Sequence, residues 1–381
     1  MTDNAFLDVH VLQTVPFSNL NRDNLGTPKQ MTFGGVTRSR VSSQCTKRAS
    51  RLWLETKTDL GKALRTRRLP QLVREVLVRD FAFDGPDAQA AVTRLFDLAG
   101  ISVKGVQVGE EEELQGDQLT FTTSETAETL ATAVDKHRDA ILAEGFKPDR
   151  QTKDELTGPF GQKNAIIALC GRMLADLPGS NVDGALQVAH AFTTHPSTPE
   201  LDYFTAVDDE IQDNDEETGA GMIGVSEYTS GVFYRHATVG IGLLSDSLDG
   251  AQAAVAEVAR NFVEAFTVAE PTGKQNAANA HTMPALIAAT LRSDRPVSLA
   301  TAFESPVRPN KHGGHLSGSI ARLGEHARDI NDFYGSGSII GAWYAAVGSE
   351  GVPEEAGGLG ARVNGLNDLL DTVEEAVGAV G

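Results

Sequence analysis

Hydrophobic and polar positions change period several times along the chain, and the changes lay out its elements. Residues 6–12, Phe-Leu-Asp-Val-His-Val-Leu, read as a first strand, with His10 as a structural residue within it. A polar loop over 18–23 and turn chemistry at Gly26-Thr27-Pro28-Lys29 follow, carrying two exposed cations, Arg22 and Lys29. Gly34-Gly35 then opens a short alternating run in which Arg38 and Arg40 share one face and Thr37 and Val41 take the other. Ser42-Ser43 reads as a helix N-cap, because a serine hydroxyl accepts an orphan backbone N–H of the first turn. Lys47 and Arg51 follow at i,i+4 spacing, with Gln44 and Arg48 on the adjoining row.

Residues 60–145 read as mostly helical, punctuated at Asp84-Gly85-Pro86 and by a C-cap at Gly100. The glutamates from Glu110 to Glu113 open a solvated loop. Thr123-Ser124 starts a helix with Leu130, Val134 and Ile141 on one face. An apolar run from Ala165 to Leu169 ends in Cys170-Gly171-Arg172-Met173. Residues 185–194 alternate and predict a central strand, with Leu186, Val188, His190 and Phe192 on one face. From His195 to about Ser226 the periodicity is lost among Pro196, Pro199 and an acidic run from Asp208 to Glu217. That stretch predicts a long projecting loop. Its Tyr203-Phe204-Thr205 offers an aromatic suited to stacking on bases or wedging between them. Residues 229–244 predict a strand, or two broken at a bend. A helix over 246–268, a turn at Lys274-Gln275-Asn276, strands at 284–291 and 338–346 and a helix near 320–331 complete the chain. Strands and helices interleave without regular βα units, which indicates the α+β class.

Charge changes the picture. The 381 residues carry a formal net charge of -19, which argues against a polyanionic partner. From Arg22 through Arg74, however, 13 Lys and Arg stand against 3 Asp and Glu. A basic block inside an acidic chain marks one surface for an anion. Within it, a basic strand feeds a helix N-terminus and a basic helix face. Fixed cations, exposed N–H groups and the positive end of a dipole all suit phosphate.

The chemistry that is missing narrows the function. No GxSxG, GxxxxGK[ST] or HExxH motif occurs. His190 and His195 are five apart, a poor fit to one face. His312 and His315 form a possible metal pair with no further Cys or His close by, so no metal is expected. The 2 cysteines lie far apart, which fits a reducing compartment. The first twenty residues carry Asp3 and Asp8 and lack an apolar core, so no signal peptide is expected, and no apolar run reaches membrane-spanning length. These features predict a cytoplasmic protein with no membrane partner, no catalytic centre and no cofactor.

Several blocks carry a family resemblance: Leu20-Asn21-Arg22-Asp23, Phe33-Gly34-Gly35 with Arg38, Arg40, Ser42-Ser43-Gln44 and Lys47-Arg48, Gly171-Arg172-Met173, and Val182-Asp183-Gly184-Ala185. Ala189-His190-Ala191 with Thr193-Thr194-His195, the stretch Phe204–Asp209 and Ser230–Arg235 continue it. In this order, over residues 5–240, they resemble the CasC family, the guide-RNA-binding backbone subunit of the type I-E CRISPR surveillance complex, Cascade. The resemblance implies an RRM-like (ferredoxin-like) palm with a helical fingers insertion and a long thumb loop. Its boundaries fall at 1–58 for the first, basic part of the palm, 59–181 for the fingers, 182–194 for a palm strand, 195–226 for the thumb and 227–381 for the remaining palm. It implies a non-enzymatic subunit that polymerises head to tail along the CRISPR RNA, kinks it periodically, and meets target DNA through the guide and other Cascade subunits directly. Carried over residue by residue, the RNA contacts are Arg22, Lys29, Ser42, Gln44, Lys47 and Arg51, with Met173 as an apolar contact and Phe204, Thr205 and Val207 as wedge positions. The alternative is an RNA-guided nuclease using thumb aspartates, Asp208 and Asp209, and a metal ion.

Overall fold

The structure, a computed structural model, describes residues 5–206, 222–348 and 352–380. It is a mixed α+β protein. The chain opens with β1 (Phe6–Ser18), β2 (Gln30–Phe33), β3 (Val36–Val41) and α1 (Ser43–Lys57). It continues through β4 (Ala63–Thr66), α2 (Leu69–Asp80), α3 (Gly85–Leu98), β5 (Val103–Val108), β6 (Glu111–Gly116) and β7 (Thr120–Thr123). Next come α4 (Thr126–Lys136), α5 (Arg138–Leu142), α6 (Arg150–Thr157) and α7 (Ala165–Cys170). β8 (Leu186–Val188), β9 (Ala191–Thr193), β10 (Glu200–Ala206) and β11 (Met222–Gly240) lead into α8 (Ile241–Ser247), α9 (Gln252–Val268) and α10 (Gln275–Ala278). β12 (Leu286–Arg292), α11 (Leu316–Tyr334), β13 (Ile339–Ala346), β14 (Ala361–Arg362) and α12 (Leu366–Gly378) complete it. These elements form two compact units, one of Met1–Trp53, Gln187–Gly242 and Gln252–Gly381, the other of Leu54–Leu186 and Leu243–Ala251.

The first unit is built on a 10-stranded, mostly antiparallel sheet in the order β14-β13-β12-β1-β11-β9-β3-β2, with β8 and β10 also pairing with β11. β1 lies at its centre between β11 and β12 and is buried along residues 7–13, because both faces are covered. On one face Leu12, Phe192, Tyr234 and Leu286 pack against Phe303 and against Leu323 and Ala327 of α11. The other face meets α9, where the buried Arg235 lies over the Phe266 ring and donates to the Phe266 carbonyl and to Gln13 Oε1. In the second unit α2, α3 and α4 bury Val73, Leu77, Val92, Leu95, Leu130 and Val134 around the edge-to-face pair Phe96 and Phe160.

The helical reading of 60–145 needs correction. Four strands lie within it, as the ribbons β4–β7 and β5–β6. The glutamate run belongs largely to β6, because the turn at Gly109-Glu110, with Gly109 at φ +64°, sets the register and leaves Glu111 and Glu112 in solvent while Glu113 pairs with Arg68. The single strand expected over 185–194 is two short strands interrupted at Ala189-His190. Part of the long loop expected after His195 is also a strand: β10 pairs antiparallel with the start of β11 from Glu200↔Tyr228 to Ala206↔Met222. β11 runs unbroken for 19 residues.

A titratable cluster is buried at the sheet centre. His10 Nδ1 meets the Tyr234 hydroxyl at 2.9 Å, and the His10 and His236 rings stack with centroids 4.7 Å apart. Burial pulls the His236 pKa down to about 4 and holds His10 well below its ordinary value. Protons the unfolded chain accepts near pH 6.5 are thus refused by the folded one, so both residues lower stability as pH falls. Asp8 acts in the opposite sense: burial holds it up at about 6, and its contribution is lost as pH rises through that value. His190, His195 and His326 are also held low, chiefly by burial, so histidines outnumber the carboxyl. The melting temperature is expected to fall between pH 7 and pH 5, less steeply in His236→Gln. A rise over that interval contradicts this account.

Candidate nucleic-acid interface

The sequence reading centres on the first turn of α1, and the structure shows how that turn is held. Ser42 is its N-cap: the hydroxyl accepts the Cys45 N–H at 3.3 Å and the carbonyl accepts the Thr46 N–H at 3.1 Å. The Ser42 N–H donates to Asn21 Oδ1 at 2.8 Å, which ties the 19–29 loop to the helix. Asp23 closes that loop on itself by accepting from Leu25 and Thr27. The Lys29 N–H donates to the Asn21 carbonyl, and the Arg40 N–H to the Lys29 carbonyl. Gly34 and Gly35, both at positive φ, turn β2 into β3, and a Cβ on Gly34 would overlap the Glu304 carbonyl.

Local geometry thereby gathers cations around one helix end. Helical spacing places Gln44, Lys47, Arg48 and Arg51 on one stripe of α1, while Thr46, Ser50 and Leu54 are buried. Arg48 and Gln44 are exposed, and Lys47 and Arg51 are half-buried. Burial pushes the Cys45 thiol up, and Lys29 and Arg48 pull against it, so both cations lie close to that turn. Arg22, one residue from the Asn21 tie, is exposed, and Lys29 is half-buried. Ser42 is buried with its hydroxyl already committed. Ser42→Ala is therefore expected to lower stability by about 1 kcal/mol in denaturant unfolding; an unchanged midpoint contradicts the capping role.

Arg38 departs from the expected basic strand face. Its side chain is fully buried and donates from Nη1 to the Thr193 carbonyl and from Nη2 to the Phe303 carbonyl, both at 2.8 Å, and from Nε to the Phe33 carbonyl at 3.3 Å. It fixes β3 against β9 and is closed to phosphate. Arg40, two residues on, is half-buried and within 3.3 Å of His190 Nδ1. His190 was absent from the predicted site. It stands 147 residues from Ser43 in sequence, and only the fold brings the two together. Lys274, read as a turn residue, joins the same unit's surface. Its Nζ meets Ser226 Oγ at 3.1 Å, and a Cβ on the preceding Gly273 would overlap the Leu20 carbonyl.

The remaining candidates lie elsewhere. Phe204 and Thr205 are exposed on β10, with the Phe204 ring closed over Gly224 of β11, where a side chain would collide with it. Met173 belongs to the second unit and is 80% exposed. It follows Arg172, which is buried and donates to the Ser180 and Gln162 carbonyls, so the methionine stands on a fixed base. Val207, with Asp208 and Asp209 of the nuclease alternative, lies outside the described residues. His315 stacks on His195 with centroids 3.8 Å apart and faces the Val307 carbonyl. Among the described residues no three His, Cys, Asp or Glu are grouped to hold a metal ion, and no helix is long and apolar enough to cross a membrane.

Comparison with known proteins places this geometry in a family. A family model described as "CT1975-like protein" matches residues 7–372. Among solved structures, a chain of a "CRISPR RNA-guided surveillance complex, pre-nicking" is 33% identical with a TM-score of 0.86, over 98% of this chain and 100% of that one. A chain of a second "CRISPR RNA-guided surveillance complex" is 29% identical with a TM-score of 0.76, over 97% of this chain and 99% of that one. No curated protein sequence matches. As the CasC-like motif blocks imply, the chain belongs to the CT1975-like family of CRISPR-associated proteins.

Proposed function

We propose that this protein is a guide-RNA-binding backbone subunit of a type I-E CRISPR surveillance complex, acting in antiviral defence in the cytoplasm. In this reading the first unit carries an RRM-like palm, the second the fingers, and the β10–β11 ribbon the base of a thumb. Copies follow one another head to tail along the CRISPR RNA, a heterologous contact that yields a helical filament. Each thumb kinks the strand through Phe204, Thr205 and Val207, leaving short segments free to pair with target DNA. Other Cascade subunits complete the particle, and the chain itself performs no catalysis.

The observation that carries the reading is the gathering of Arg22, Lys29, Arg40 and the Gln44–Arg51 stripe at one helix N-terminus. Cations on phosphate position a strand without reading its sequence. In an RNA-guided effector, base pairing does the reading. A surface of fixed positive charge is then what the subunit needs. Purified from cells that carry a CRISPR array, the protein is expected to bring down RNA of one discrete length. Nucleic-acid-free protein, or RNA of random length, counts against the assignment.

A further inference from the structure

His190 stands between β8 and β9, and its ring meets two groups that can only donate. The Ser43 backbone N–H reaches Nδ1 at 3.1 Å, and Arg40 Nη1 lies 3.3 Å from the same atom. Neither an amide N–H nor a guanidinium offers a lone pair, so Nδ1 is the acceptor and the ring's single proton sits on Nε2. The imidazole is therefore neutral. Burial, then Arg40 and Lys29, hold its pKa below the ordinary range. Nε2 lies on the far side of the ring from these contacts. The residue is exposed, and among the described residues Nε2–H meets no acceptor.

We propose that His190 is an RNA-contacting residue whose Nε2–H, aimed by Ser43 and Arg40, donates to a phosphodiester oxygen of the bound strand. The inference rests on the RNA-binding reading above. It assigns His190 a different kind of contact from that of its neighbours. Lys29 and Arg40 attract phosphate over a distance and release counterions when they meet it. A neutral donor with a fixed direction releases none. It fixes where along the cation-lined surface a phosphate comes to rest, because the hydrogen bond weakens steeply with angle.

The test separates the two ring nitrogens. His190→Gln sets an amide nitrogen where Nε2 stood and gives up the Nδ1 acceptor. His190→Asn sets an amide oxygen where Nδ1 stood and gives up the outward donor. His190→Ala gives up both. Affinity of the full-length protein for a labelled single-stranded RNA of mixed sequence is measured across a salt series, with melting curves as the folding control. His190→Ala and His190→Asn are expected to bind about tenfold more weakly than the wild type, and His190→Gln within about threefold of it. All four proteins are expected to share one salt slope. Wild-type affinity in His190→Ala overturns the proposal. So does rescue by Asn and not Gln, which assigns His190 only to holding Arg40, and so does a salt slope shifted by about one unit. A wild-type protein that binds no RNA overturns the function proposed above, a result distinct from all of these.

Discussion

Reversing the charge at Lys47 and Arg51 together (Lys47→Glu, Arg51→Glu) is expected to lower affinity for single-stranded RNA by about 100-fold or more. Both residues sit on the stripe that follows the capped first turn of α1. In the proposed function each cation lost removes one phosphate contact, and each carboxylate gained repels the same strand. If the proposed contacts are with the backbone, the loss is the same for RNAs of unrelated sequence. The dependence of log affinity on log salt also becomes shallower, by about 0.7 for each single-strand phosphate no longer neutralised. Both side chains are half-buried, so melting curves are recorded alongside, and affinity is compared where both proteins are folded. A loss below about threefold, or one confined to a single sequence, contradicts phosphate positioning by this helix.

The second large effect is on stability. Arg38→Met is expected to destabilise the first unit by about 3–5 kcal/mol. The arginine satisfies the Thr193, Phe303 and Phe33 carbonyls from a fully buried position, and methionine leaves all three without that donor. Those carbonyls belong to β9, to the short 3-10 helix Ala300–Phe303 and to the end of β2, so the substitution loosens the meeting of several segments. Arg38→Lys does not rescue it, since an ammonium lacks the forked geometry that reaches separate acceptors. The melting temperature is expected to drop on the order of 10 °C. Unchanged melting with weakened RNA binding contradicts the structural role and returns Arg38 to the phosphate surface.

Arg38 also shows where sequence reading stops. Alternation put Arg38 and Arg40 on one strand face, yet burial separates them. The acceptors that draw Arg38 inward come from residues 193 and 303, which no local pattern connects to it. His190 was missed for the same reason, since its contact with Ser43 spans 147 residues. Several elements with a buried apolar face were legible, though the buried, threonine-rich β7 was not. β1, β12, β13 and α11 each carry an apolar pattern dictated by the core they cover. The cap at Ser42 was legible too, because capping is settled within one helical turn. The ribbons β5–β6 and β10–β11 were not. Val106, Val108, Leu201, Tyr203, Ile223 and Val225 remain exposed there, and in β5–β6 the core takes only Leu114 and part of Val103, too few positions to impose alternation. Glu111 to Glu113, unfavourable in a strand by composition, are held in one by the turn register and by contacts with α2, where Arg68 pairs with Glu113 and Gln71 accepts the Leu114 N–H.

Lysine footprinting tests the central claim most directly. The protein is acetylated with and without bound single-stranded RNA, and the modified lysines are located by mass spectrometry. RNA is expected to protect Lys29 and Lys47, beside the first turn of α1, and to leave the exposed Lys104, Lys153 and Lys311 as reactive as before. Protection at those three lysines, with Lys29 and Lys47 unaffected, contradicts the placement of the strand on this surface.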